Sequence, residues 1–96
     1  MRIIDKSKIE SIKRAVEEVS GLTNAELEFN RNHTVTPWAS LAMYLIYSEG
    51  ETAANTAKHY GRKHPTVHHV VKKINADPEK YTPHLDRIRE RASQCG

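Results

Sequence analysis

Apolar residues recur along most of the chain at the three- and four-residue spacing of amphipathic helices, and no stretch alternates convincingly as a strand. Ile9, Ile12, Val16 and Val19 mark a first helix, which Asp5 or Ser7 can cap and Gly21 can end in a left-handed conformation. Thr23 with Glu26 fits a capping box for a short second helix running to about Phe29. Residues 30–35 are polar and predict a loop. Thr36-Pro37 reads as an N-cap followed by proline at the first helical position. Residues 38–47 are apolar on nearly every side, the pattern of a central buried helix. Glu49-Gly50-Glu51 ends it.

Thr52 can cap a fourth helix carrying Ala53, Ala54, Ala57 and Tyr60, which Gly61 breaks. A fifth starts near His64-Pro65, and its Val67, Val70, Val71 and Ile74 fall at i, i+3, i+4 and i+7. Asp77-Pro78 stops it. Tyr81 and the Thr82-Pro83 step are expected to fold back a last helix, about residues 84–93, that buries Leu85, Ile88 and Ala92. The expected fold is all-α: a bundle of five to six helices without internal repeats.

Length and charge narrow the picture. The chain has 96 residues, which suits one domain spanning residues 1–96. Net charge is only +3, so its distribution carries more than its size. Lys58, Arg62, Lys63, Lys72 and Lys73 share one stretch with four histidines and no acid. The acids gather instead in residues 9–28, around residues 49–51 and from Asp77 onward. The single cysteine, Cys95, has no partner for an internal disulfide, and no signal peptide or membrane span is evident, so a cytoplasmic location is expected.

Two short helices joined by a glycine-containing turn suggest a helix-turn-helix, whose second helix enters the major groove of DNA by its N-terminal residues. Ala53, Ala54 and Ala57 are small enough for the two helices to approach closely. With the aliphatic stripe of the fifth helix facing the core, Pro65, His69 and Lys72 point directly outward. Thr66 and Lys73 flank them on one side and His68 on the other. This face has no acid and suits a polyanion. Free backbone N–H groups at the helix start, with Arg62 and Lys63 in the turn, add to the attraction for phosphate. Thr66 and His69 are candidates for base edges, Lys72 and Lys73 for phosphates. About five neutralised phosphates would give a slope of log affinity against log salt near −4 to −5.

Other chemistry finds little support. There is no phosphate-binding Gly-x-x-x-x-Gly-Lys loop, no paired carboxylates and no nucleophile motif, so neither an enzyme nor a cofactor is expected. His64 and His68 are spaced as metal ligands can be, but no carboxylate or thiolate accompanies them, and no metal site is assigned. Trp38, Tyr44 and Tyr47 are expected to form an aromatic group on the third helix that packs in the core rather than a stacking platform for single strands.

The stretch Tyr60-Gly-Arg-Lys-His-Pro-Thr-Val-His-His-Val70, followed by Lys72-Lys73-Ile74, resembles the signature of the C-terminal DNA-binding domain of the bacterial replication initiator DnaA. Pro37 with Leu41-Ala42-Met43-Tyr44-Leu45 is similar to that family's proline-led helix, and residues 9–27 resemble its opening helices. The resemblance covers about residues 8–76. It implies a Trp-repressor-like helix-turn-helix fold that binds duplex DNA as a module. His64, Thr66 and His69 would lie on the DNA-facing surface, and Arg62 would contact the backbone. It also implies a setting in bacterial or phage DNA replication, as a stand-alone relative or beside a regulatory or replication partner.

The chain departs from the family pattern at informative places. Lys63 stands where the family has aspartate, Pro65 where it has threonine, and the turn is one glycine shorter. The family's basic loop before the proline is reduced to Arg31, Asn32, His33, Thr34 and Val35, and Thr36 or Trp38 replaces its proline-flanking arginine. The resemblance therefore implies DNA binding without the standard initiator box, with Arg31 and His33 as candidates for minor-groove contact. The alternative is a protein-interaction module that keeps the fold without DNA.

Overall fold

A computed structural model describes residues 6–29 and 32–95. Asp5, Asn30 and Arg31, which carried expectations above, lie outside the described residues. Six helices and no strand are found among the described residues: α1 Lys6–Ser20, α2 Asn24–Phe29, α3 Thr36–Ser48, α4 Ala53–Lys58, α5 His64–Ala76 and α6 Pro78–Cys95. Helix α3 is the hub. It packs against all five others, while α1 lies along α6 and α4 lies along α5.

The apolar stripes account for this arrangement. Ile9, Ile12 and Val16 of α1, Leu27 of α2, six residues of α3, Val67, Val70 and Ile74 of α5, and Leu85 and Ile88 of α6 form one buried cluster. Each such large aliphatic side chain contributes about 1.5–3 kcal/mol by leaving water. Val19, Val71 and Ala92 are half-buried at its margin.

Local chemistry sets most boundaries. Gly21 ends α1 at φ +75° and donates its N–H to the Glu17 carbonyl at 2.9 Å. The capping box at Thr23 forms in both directions: Glu26 N–H donates to Thr23 Oγ1 at 3.1 Å, and Thr23 N–H to Glu26 Oε1 at 3.2 Å. Thr52 caps α4 by accepting from Asn55 N–H at 3.1 Å.

Four expectations shift. Ser7 lies inside α1 rather than capping it. Val35, not Thr36, is the N-cap of α3, so Pro37 takes the second helical position; the Thr36 hydroxyl instead donates back to the Asn32 carbonyl at 3.1 Å. Ala54 is exposed. Helix α4 has six residues, and its inward face with the following turn runs through 53, 56, 57 and 60, which leaves position 54 about 100° away. Thr56 takes the buried place beside Ala57 and Tyr60.

The largest difference is α6. It begins at Pro78, six residues before the expected start, and contains Pro83. Proline at the first helical position lacks only a donor that would be unpaired anyway. Pro83 removes the bond to the Glu79 carbonyl, but that group belongs to the exposed first turn, where water can serve it. The Thr82 hydroxyl donates to the Pro78 carbonyl at 2.7 Å and ties the same turn together.

Candidate nucleic-acid interface

Helices α4 and α5 are joined by residues 59–63, with Gly61 at φ +62° reversing the chain. The left-handed backbone is one that glycine adopts without strain. Arg62 N–H donates to the Ala57 carbonyl at 2.9 Å and locks the reversal onto the end of α4. Buried Ala57 and Tyr60 on one side and Val67 and Val70 on the other then fix how α5 presents its remaining surface.

That surface follows the expected pattern. His64, Pro65, His68, His69, Lys72 and Lys73 are exposed and Thr66 is half-exposed. Lys58, in the last turn of α4, and Lys63, in the connecting turn, are exposed as well. No aspartate or glutamate occurs between Glu51 and Asp77. Among the described residues, Lys58, Lys63, Lys72 and Lys73 enter no ion pair. At the flank, the His68 ring meets Tyr47 of α3 edge to face at 6.0 Å, and Tyr44 Oη donates to Asn75 Oδ1 at 3.2 Å. These two tyrosines fix the edge of α5 against α3.

The start of α5 offers fewer donors than its sequence suggested. Lys63 is the N-cap in extended conformation and makes no side-chain cap bond. Pro65 has no N–H, and Thr66 N–H is taken by the Lys63 carbonyl at 3.0 Å. Positions 65 and 66 thus drop out of the expected row of free amides. Attraction for an anion at this end falls to side chains and the helix dipole.

Arg62 is placed differently from its neighbours. Its guanidinium turns inward and donates to the carbonyls of Leu27, Glu28 and Tyr60 at 2.5, 3.1 and 2.5 Å. It thereby satisfies carbonyls at the end of α2 and ties that helix to the α4–α5 turn. This bond set is a structural role that the sequence did not disclose. Beside it, the Tyr60 phenol is fully buried, and burial pushes its pKa well above the usual tyrosine range, with Glu17 and Glu10 adding to the effect. His59, in the same turn, is held below the ordinary histidine range, chiefly by burial and next by Lys13, against the opposing pull of Glu51 and Glu10.

His33 sits on the exposed turn before α3, and its neighbours across the adjoining groove come from α3 and α6. Trp38, Tyr44 and Tyr47 are all half-buried against the core, as core packing requires, but they do not form one group. Trp38 instead meets His84 of α6 at 5.7 Å with the rings nearly perpendicular. Lys80, Tyr81 and His84 were not singled out from the sequence as a set. They come together because α6 starts at Pro78, which puts positions 80, 81 and 84 on adjoining faces of one helix.

The fold and this face define an all-helical protein with a carboxylate-free, cationic helix surface. No family model, curated protein or solved structure matches the chain.

Proposed function

We propose that α4, the turn at Gly61 and α5 act as a helix-turn-helix that binds duplex DNA, in the manner of the Trp-repressor-like C-terminal domain of DnaA. The observation that carries this reading is the outward face of α5. Its lysines and histidines face solvent, no carboxylate competes for them, and the opposite side is anchored by Val67, Val70 and Ile74. An α-helix fits the major groove, and exposed lysines supply the phosphate contacts that dominate affinity. Thr66 and His69 carry base readout, with His64 and His68 at their sides. Lys58, Lys63, Lys72 and Lys73 hold the backbone.

Turning Arg62 inward lowers the expected number of phosphate contacts from five to four. The slope of log affinity against log salt is then about −3.6 for B-form DNA. A selection of random duplexes against the purified protein, followed by salt titration of the winning site, tests the reading. Lys72→Ala should weaken binding to all sequences and flatten the slope by about one unit. Thr66→Ala or His69→Ala should relax sequence choice at a cost of about 1–3 kcal/mol on the best site. Retention of no duplex at low salt would overturn the proposal, and equal losses on all sequences from both kinds of variant would overturn the division of roles.

A further inference from the structure

The cationic side of α5 does not end at its last turn. Lys73 lines a cleft of about 220 Å³ together with Val70, Ser40, Pro37, Lys80 and Tyr81. Pro37, Lys80 and Tyr81 also border a second cleft of about 330 Å³, which His33, Trp38, Leu41 and His84 complete. The two clefts share a wall and form one groove from the C-terminal half of α5, past the start of α3, to the first turns of α6. Its lining holds two lysines, two histidines and no carboxylate. Glu79 is next to Lys80 in sequence but is not part of that lining.

The aromatic groups in this groove are only partly used by the core. Trp38 and Tyr81 are half-buried, so each keeps surface toward solvent. The Lys80 ammonium lies 5.6 Å from the Tyr81 ring centroid, and the His84 ring stands nearly perpendicular to that of Trp38. A channel pairing cations with aromatic surfaces is what an unpaired nucleic-acid strand requires, because its phosphates need neutralising and its bases need a flat partner. A duplex cannot use the aromatic part, since its bases already stack on each other. The larger cleft is within the lower range of volumes that hold small ligands.

We infer that this groove binds single-stranded DNA, with Lys73 and Lys80 on phosphates and an unpaired base against Trp38 and Tyr81. The choice of ligand rests on the nucleic-acid reading of α5, from which the groove continues through Lys73. The protein would then hold a duplex on α5 and an adjoining unpaired strand at the α3–α6 groove.

Trp38 is the only tryptophan of the chain and reports on the groove directly. Titrating the full chain with a short oligothymidylate at low salt should quench its emission. Tyr81→Ala should weaken oligothymidylate binding by about five- to a hundredfold, followed by anisotropy of a labelled strand, and Tyr81→Phe should restore it. Lys80→Glu changes an exposed residue and should weaken the same binding if Tyr81→Ala does not fold. Lys72→Ala should lower affinity for a blunt duplex while leaving the oligothymidylate response in place. Unchanged Trp38 emission throughout the titration would overturn the inference, as would oligothymidylate binding that Lys72→Ala weakens and Lys80→Glu does not. Quenching by oligothymidylate without duplex binding would leave this groove standing and remove the major-groove reading, whereas duplex binding without quenching would do the reverse.

Discussion

Two helix pairs of this molecule treat charge in opposite ways. In and around the α1–α6 pair, three cations are matched by acids: Arg91 with Glu18 across the two helices, Arg89 with Asp86 at 3.9 Å, and Lys8 with Glu49 at 3.8 Å. In the α4–α5 pair, four lysines stand exposed without a carboxylate among the described residues. Surface ion pairs of the first kind are worth about 0–1 kcal/mol each and mainly keep the surface neutral. Unmatched lysines contribute nothing of that sort, and their mutual repulsion lowers stability slightly. The difference teaches that the α4–α5 lysines contribute little to holding the fold, which is what a surface proposed to meet an external anion requires. Its one arginine stands apart from the lysines, because Arg62 is turned inward and acts on carbonyls of α2 and the turn.

Arg62→Ala should have the largest effect on this comparison. The side chain donates to three backbone carbonyls in a partly buried setting, and bonds from a charged donor contribute about 1.5–3 kcal/mol. Stability measured by urea unfolding should fall by about 2–3 kcal/mol. The salt dependence of duplex binding by the folded protein should keep its slope. A slope flattened by a full unit with stability unchanged would return Arg62 to the phosphate-contacting group and erase the distinction between it and the lysines.

The outward face of α5 and the central place of α3 were legible because the first rests on one clear apolar stripe and the second on an apolar surface all round. Val67, Val70 and Ile74 leave only one way to orient α5, and an apolar α3 has nowhere to go but the middle. The capping box at Thr23 and the cap at Thr52 were legible for a similar reason, since each is complete within four residues. Arg62 was not, because its partners at Leu27 and Glu28 lie more than thirty residues away and are backbone atoms that no side-chain pattern advertises. The groove at Trp38 was hidden by Pro78 and Pro83. Both look like breakers in sequence, and only their nearness to a helix start makes them compatible with one. The loss of two free amides at the start of α5 was readable in part, because Pro65 announces a missing donor, but the bond from Thr66 N–H to Lys63 depends on the turn geometry.

The two starts within the α4–α5 pair sharpen the comparison at a smaller scale. Thr52 caps α4, whereas Lys63 begins α5 with extended backbone, no side-chain cap and a positive charge at the positive end of the helix dipole. Thr52→Ala should lower stability by about 1 kcal/mol, the usual value of a threonine cap. Lys63→Asp should act in the opposite direction and raise stability by about 0.5–1 kcal/mol, because an acceptor and a negative charge both favour that position. Duplex affinity at low salt should fall in the same variant. Thermal melts and anisotropy on one preparation measure both quantities. A variant that gained stability and kept its duplex affinity would show that Lys63 is not held at this position for an anion.

His59 links the two regions, since it belongs to the α4–α5 turn yet feels Lys13, Glu10 and Glu51. Its pKa is lowered in the folded chain, by burial first and by Lys13 second. The unfolded chain therefore binds a proton at His59 more readily than the folded one. The contribution of its neutral form to stability is complete above the unfolded value of about 6.5 and is lost as pH falls through that value toward the lower folded one. Denaturation midpoints should thus decline between about pH 7.5 and about pH 5.5, and His59→Gln should flatten part of that decline. The two proteins differ only at position 59, so the difference between the two curves isolates His59. Lys13→Ala should reduce that difference by removing the second cause, whereas Lys72→Ala, on the exposed side of α5, should leave it unchanged. If Lys72→Ala moved the difference as much as Lys13→Ala did, the charges of α5 would not be electrically separate from those packed under α4, and the division between a matched layer and an unmatched face would no longer hold.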